Sequence, residues 1–230
     1  MITLSGDESY LDSMTEGPTL SVCMIVKNEE KLLGQCLDSV TGVADEIIIV
    51  DTGSTDRTVE IARQYTDKVY FHEWQDSFSE ARNHSLDYAT CDWILQIDAD
   101  EELYQEDIPV LRAALAAAEG VPEIDAILVA LLSELPGDNM SKHYFPRIHR
   151  RGQAHYEGIV HNQLAYKGKD MFAEIRFRHY GYNLPPDEME RKARRSENLL
   201  LTQIEEDPAN TFAWRNLLRI YRNRGDYEKI

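Results

Sequence analysis

Asp98 and Asp100 stand where an apolar run, Trp93-Ile94-Leu95-Gln96-Ile97, breaks off, and Glu101 and Glu102 follow them. Side chains at i and i+2 share a face of an extended chain. Where a strand opens into a turn, both can address one hole. Two carboxylates so placed suit a hard divalent cation that also holds phosphate oxygens. Taken alone, the pair reads as a solvated acidic turn. The elements upstream change that reading.

Leu20 to Val26 is an unbroken apolar run that ends in Lys27-Asn28-Glu29-Glu30, and a helical pattern follows from Leu32 to Val40. A second strand, Glu46 to Val50, ends in Asp51-Thr52-Gly53-Ser54-Thr55-Asp56. The alternation continues with a helix about Thr58 to Tyr65, a strand Lys68 to Phe71, a helix Ser79 to Ala89, and the strand that ends in Asp98. Short β-branched runs alternating with helices predict an α/β fold with a mostly parallel sheet covered on both faces. Ligands of such sheets lie beyond the carboxyl ends of the strands. Val26 to Glu29, Asp51 to Ser54 and Asp98 to Asp100 all fall on that edge, with Asp51 and Asp98 expected at adjacent strand ends.

Four segments in this order, Val26-Lys27-Asn28-Glu29-Glu30, Val50 to Asp56, Ala81-Arg82-Asn83 and Asp98-Ala99-Asp100, resemble the nucleotide-binding half of an inverting, family-2-type glycosyltransferase of the GT-A (Rossmann-like) fold. The resemblance runs from about Leu20 to Tyr182. With the helical stretch that follows, it is most similar to bacterial members carrying C-terminal tetratricopeptide repeats, including the peptide S-glycosyltransferase type. It implies a nucleoside diphosphate sugar as donor, a UDP-sugar above all, a protein, peptide or glycan acceptor, and Mn²⁺ or Mg²⁺ as cofactor.

The resemblance also implies roles. The loop after Val26 and the acid after the second strand hold the nucleoside, with the Val26 backbone and Glu29 near base and ribose. Relatives commonly have two acids after that strand. Here they are Asp51 and the neutral Thr52, so Asp51 carries the contact. Arg82 matches an arginine at the base or diphosphate. Of the Asp-x-Asp pair, Asp98 faces the ribose and Asp100 binds the metal. A late histidine completes the metal site, for which His179 is favoured over His161. The catalytic base is commonly an acid directly after a histidine, but here the pair is His161-Asn162. An amide cannot take a proton, which leaves Glu157 or His161, or a thiol acceptor that ionises readily near neutral pH.

Composition narrows the partners. A formal net charge of -17 argues against nucleic acid or an anionic membrane surface. No apolar run approaches a membrane span and no leader opens the chain, which predicts a cytoplasmic protein. Cys23, Cys36 and Cys91 read as small hydrophobes, with Cys23 and Cys91 at buried strand positions. From Lys142 to Arg195 there are 12 Lys and Arg against 6 Asp and Glu, and five of the seven histidines lie there. A diphosphate leaving group needs such cations, and Arg147, Arg150 and Arg151 are the expected suppliers.

Three regions follow: an acidic disordered tail over residues 1–18, the GT-A domain over 19–183, and a helical segment over 184–230. The last begins after Leu184-Pro185-Pro186 and is interrupted at Asp207-Pro208. Trp214, Leu217, Tyr221, Gly225 and Tyr227 then follow the phasing of a tetratricopeptide repeat, with Leu218 where a small residue is usual. Such units need stacked neighbours, which predicts that the natural chain continues past Ile230. Two other readings stay open. An aspartyl-phosphate phosphotransfer enzyme also uses Asp-x-Asp after a strand, although Glu101 and Glu102 stand where it wants Thr or Gly. A non-catalytic nucleotide-binding scaffold that engages a partner through its helices is compatible with Asn162.

Overall fold

The computed structural model describes residues 17–135, 139–181 and 185–229. Most of the expected acidic tail, and the Tyr182–Leu184 boundary, lie outside the described residues. The strands are β1 (Leu20–Val26), β2 (Glu46–Asp51), β3 (Val69–Phe71), β4 (Trp93–Gln96), β5 (Glu101–Leu103), β6 (Ile124–Leu135), β7 (Asn139–Arg150), β8 (Ala154–Glu157), β9 (Gln163–Tyr166) and β10 (Lys169–His179). The helices are α1 (Leu33–Thr41), α2 (Thr58–Ala62), α3 (Phe78–Leu86), α4 (Ile108–Glu119), α5 (Pro186–Glu206) and α6 (Thr211–Arg224).

Eight strands form one sheet in the order β3-β2-β1-β4-β7-β6-β10-β5, and β8 with β9 makes a separate hairpin. β3, β2, β1 and β4 run parallel. β7 is antiparallel to both β4 and β6, β10 is parallel to β6, and β5 is antiparallel to β10. One expectation is corrected by this order. Asp51 and Asp98 share the carboxyl edge, but β1 lies between their strands. Strand adjacency is a long-range property that the spacing of runs along the chain does not carry.

Alternation assigns the two faces. Leu20, Val22, Met24 and Val26 of β1 and Trp93 and Leu95 of β4 pack with Leu33, Leu37 and Val40 of α1 and Leu111 and Leu115 of α4. Cys23, Ile48 and Ile94 face the other way, under Leu86 of α3 and the nearby Tyr88. Cys91 is corrected: it sits half-buried in the bend before β4, whereas Cys23 and Cys36 are buried. A third cluster joins the helical segment to the α/β part. Leu199, Leu200 and Ile204 of α5 and Leu217 and Tyr221 of α6 pack with Val160, and Trp74, Phe78 and Ile159 close over them. Arg224 of α6 pairs with Glu190 and Glu197 of α5, locking the two helices together.

Candidate active site

The two loops that open the site are stitched to each other. Asn28 adopts a left-handed conformation (φ 58°). Its Oδ1 accepts from the Thr55 amide at 2.8 Å, and its own amide donates to Ser54 Oγ at 2.9 Å. Glu29 N–H donates to Thr58 Oγ1 at 2.7 Å, and Asp51 accepts from the amides of Gly53 and Ser54. Short polar side chains that satisfy loop amides are what Asn, Asp, Ser and Thr do well. Much of the spelling of the two motifs is therefore loop construction. Asp51, expected at the nucleoside, spends its carboxylate on its own turn. Of the Val26 backbone, expected near the base, the carbonyl accepts from both the amide and the hydroxyl of Thr52 at 2.9 and 3.1 Å. The Thr52 side chain and Glu29 remain on the cavity wall.

The next layer is an acid–arginine cluster. Arg82 on α3 donates to Asp98 Oδ1 at 2.6 Å, and Arg147 on β7 donates to Oδ2 at 3.2 Å. Arg147 also pairs with Glu101, whose other oxygen accepts from the Asp98 amide at 3.1 Å. Burial works against ionising Asp98, but the two guanidiniums outweigh it and hold the carboxyl well below the usual range. Glu101 goes the other way. Burial, with Asp98 and Asp100 adding to it, pushes its carboxyl up against the pull of Arg147. Asn83, from the same motif as Arg82, accepts from the Tyr156 amide at 2.7 Å and donates to its carbonyl at 2.9 Å, pinning β8 beside the site.

Asp100 faces a different set of partners. His179 Nε2 lies 3.4 Å from Asp100 Oδ2, and Lys192 Nζ lies 3.7 Å from the same oxygen. The Nδ1 of His179 is 3.0 Å from the Ser133 hydroxyl, which fixes the ring with Nε2 toward the carboxylate. Gly181 closes over this pair: a Cβ there would overlap the Asp100 carboxylate and stand 2.7 Å from His179 Nε2. Only a residue without a side chain fits at this approach of the backbone to the acid–histidine pair. Asp98 and Asp100 keep 31% and 20% of their side chains exposed, so both still front the cavity.

That cavity measures about 550 Å³ and is lined from the loops after β1, β2, β3 and β4, with β6, β7, β10 and α5 contributing to the wall. Val26, Glu29, Thr52, Arg82, Asp98, Asp100, His161 and His179 are all in its wall, as are Trp74, Phe78, His143, Phe145, Lys192 and Arg195. Burial pushes the Glu29 carboxyl up to about 7, with the nearby Asp100 charge adding to it. His161 (φ 50°) has its pKa lowered by burial and by Arg219. Asn162, beside it, has a buried Nδ2 with no hydrogen-bond partner among the described residues.

Three sequence candidates are not brought here. Glu157 is exposed on β8 and pairs with His155 at 3.0 Å, outside the cavity wall. Arg150 stacks on Trp93 and pairs with Glu119, and Arg151 donates to the Cys91 carbonyl. Both lie at the opposite edge of the sheet, because β7 runs antiparallel to β4 and carries residues 150 and 151 away from the site as it brings 147 in. The cations that sequence reasoning missed, Lys192 and Arg195, were hidden in a segment read as an appendage. Their spacing from Ser196, Leu199 and Leu200 on one helical stripe is the signal that could have found them.

Asp100 and His179 supply one carboxylate and one imidazole on one hollow. Among the described residues, no group of three or more His, Cys, Asp or Glu gathers into a self-sufficient metal site. Mg²⁺ and Mn²⁺ are commonly held by one or two carboxylates together with substrate phosphates and water. The donor set fits an ion shared with a bound phosphate.

A carboxyl-edge cavity in a Rossmann-like sheet, walled by an Asp-x-Asp turn, defines a class of α/β proteins that take a ligand beyond their strand ends. The comparisons make the class specific. Residues 21–166 match Glycosyl transferase family 2, and the chain belongs to that family. It is 34% identical over 214 residues to a TPR repeat-containing protein of Synechococcus elongatus, a match covering 90% of this chain and 53% of that protein. It is 32% identical over 203 residues to the SPbeta prophage-derived glycosyltransferase SunS of Bacillus subtilis, covering 85% and 47%. The chain thus spans about half the length of these relatives. In fold it is similar to S. aureus TarS 1-349, with a TM-score of 0.54, 15% identity, and 88% of this chain and 71% of that one covered. A second structure of that protein is in complex with UDP. The fold is the GT-A arrangement expected from the sequence. Among the described residues, no helix is long and apolar enough to cross a membrane.

Proposed function

We propose that this chain is the catalytic part of an inverting glycosyltransferase that moves a sugar from a nucleoside diphosphate sugar, UDP-linked, to a protein, peptide or glycan acceptor. The observation that carries this reading is the divided Asp-x-Asp turn. Asp98 is paired and oriented by Arg82 and Arg147, while among the described residues Asp100 pairs with no arginine and stands beside His179 and Lys192 on the same cavity wall. Two carboxylates two residues apart are thereby given different work.

In this reading Asp98, kept ionised, accepts from the ribose, and the Thr52–Glu29 side of the cavity takes the base. Asp100 and His179 would hold Mn²⁺ or Mg²⁺, which would supply positive charge for the diphosphate. His161 is the cavity residue assigned to take the acceptor proton. Its lowered pKa keeps the ring neutral near pH 7, the form a base needs. Glu157 is set aside because it faces solvent with His155. The helices α5 and α6 begin a tetratricopeptide-like segment that follows the GT-A domain. The three cysteines are free, which favours a reducing compartment and supports a cytoplasmic location.

Thermal denaturation with UDP tests the proposal. A ligand that binds only the native state raises stability by mass action, so UDP should raise Tm more in Mn²⁺ or Mg²⁺ than in chelator. Absence of any UDP-dependent shift in either condition would refute it.

A further inference from the structure

The inner stripe of α5 changes character along its length. Leu199, Leu200 and Ile204 are buried over the apolar cluster beside Val160. One and two turns earlier on the same stripe, Arg195, Ser196 and Lys192 reach the cavity wall. The neighbouring cations behave differently. Arg191 and Arg194 pair within the helix, with Asp187 and with Glu190, as solvent-facing charges on a helix do. A helix whose cations served only solubility would keep all of them on that outer side. Resting on the nucleotide-sugar reading above, we propose that Arg195, assisted by Lys192, is the protein's own diphosphate-binding group, so that α5 forms part of the donor site.

The electrostatics of the cavity support this. Arg82 and Arg147 are committed to Asp98 and Glu101. Lys192 stands 3.7 Å from Asp100 and donates to the Gly181 carbonyl at 3.4 Å, at the entrance to the acid–histidine pair. Arg195 is different. Its guanidinium lies 5.2 Å over the Phe78 ring, and among the described residues it has no carboxylate within ion-pairing distance. Burial lowers its pKa, and Glu29 is the charge that opposes the shift. A guanidinium packed over an aromatic ring leaves its fork of donors available to two phosphate oxygens. In a chain with net charge -17, a multiply charged anion needs such a fixed local cation. The ligand class is a nucleoside diphosphate, recognised at its phosphates.

Calorimetric titration of the whole chain with UDP and with uridine, in Mn²⁺ and in chelator, tests the assignment. Arg195→Met retains the stem on Phe78 and removes the fork, and Arg195→Lys restores charge alone. Melting curves of each variant without ligand report folding. The expected result is a loss of about tenfold or more in UDP affinity for Arg195→Met, an intermediate value for Arg195→Lys, and uridine affinity within about twofold of the parent. UDP affinity unchanged in Arg195→Met overturns the inference. Equal losses for UDP and uridine also overturn it, since they signal a packing role. A parent that binds neither ligand overturns the nucleotide-sugar reading itself, and this inference with it.

Discussion

The two edges of the sheet bury carboxylates in opposite ways. At the amino edge, Glu46 accepts from Ser21 Oγ at 2.5 Å, from the amide and hydroxyl of Thr90 at 2.9 Å each, and from Lys68. Nearby, Asp92 and Thr19 exchange three hydrogen bonds of 2.7 to 3.0 Å. At the carboxyl edge the network is left open. Arg82 Nε, Arg147 Nε and Asn162 Nδ2 are buried with no hydrogen-bond partner among the described residues, and Glu29 and Glu101 are held out of their ordinary ionisation range. A closed network stabilises a fold, whereas an open one stores desolvated groups that a ligand can satisfy. The same sheet thus uses one end as a foundation and the other as a site.

Substitutions should break this contrast in order of size. Asp100→Asn, at the open edge, should lower sugar transfer by roughly 10²–10³-fold and abolish the metal-dependent part of UDP stabilisation, with the ligand-free Tm nearly unchanged. UDP stabilisation equal to that of the parent would remove Asp100 as the metal ligand. Next, His161→Ala should reduce turnover by about 10²-fold while sparing nucleotide binding, and His179→Ala should weaken metal-dependent binding by about 10–100-fold. Reversed outcomes in calorimetry and turnover would exchange the two roles.

At the closed edge the readout becomes stability. Burial raises the cost of ionising Glu46, but its hydrogen bonds from Lys68, Ser21 and Thr90 prevail and bring its pKa from 4.5 to about 2. A carboxyl depressed in the folded state stabilises fully above its unfolded pKa. That contribution, roughly 2–3 kcal/mol, is lost as pH falls from about 4.5 toward 2. Glu46→Gln should therefore lower Tm at pH 7 and flatten the acid limb of the stability curve, while leaving the UDP affinity of the folded protein intact. A mutant acid limb as steep as the parent's would show that Glu46 is not the group responsible. The smallest effect belongs to Arg151→Ala, which loses one bond to the Cys91 carbonyl and should alter transfer by less than about twofold. A large loss of activity there would show that the closed edge also serves the reaction.

What was legible in the sequence depended on distance along the chain. Strand ends and helical stripes are local, so the loops after β1, β2 and β4 could be placed on one edge from the apolar runs alone. The run Arg147-Ile148-His149-Arg150-Arg151 looked like a single cationic patch. A strand rises about 3.3 Å per residue, however, and delivers its two ends to opposite edges. The position of β1 between Asp51 and Asp98 depends on pairings set by the whole chain. The motif around Asp51 placed a loop there, but did not show that its carboxylate would also hold the amides of Gly53 and Ser54. Glu157 failed for a similar reason: alternation along β8 turns it toward solvent while Tyr156 is buried.

The Asp-x-Asp turn has a topological consequence. It joins β4, near the middle of the sheet, to β5 at the far edge, with β7, β6 and β10 between them. Covalent chain and hydrogen-bonded strands together make a closed circuit, and the turn is its clasp. It is fastened from outside as well: Ile97 N–H donates to the Cys23 carbonyl, Tyr180 N–H to the Asp100 carbonyl, and Leu103 N–H to Ser39 Oγ. Opening the turn means separating strands on both sides of the circuit, unlike the fraying of an ordinary surface loop. The hydrogen-bonded amides of Ile97, Asp98, Glu101 and Leu103 should therefore exchange with solvent hydrogen about as slowly as the core strands, which makes this turn one of the last parts of the protein to let go.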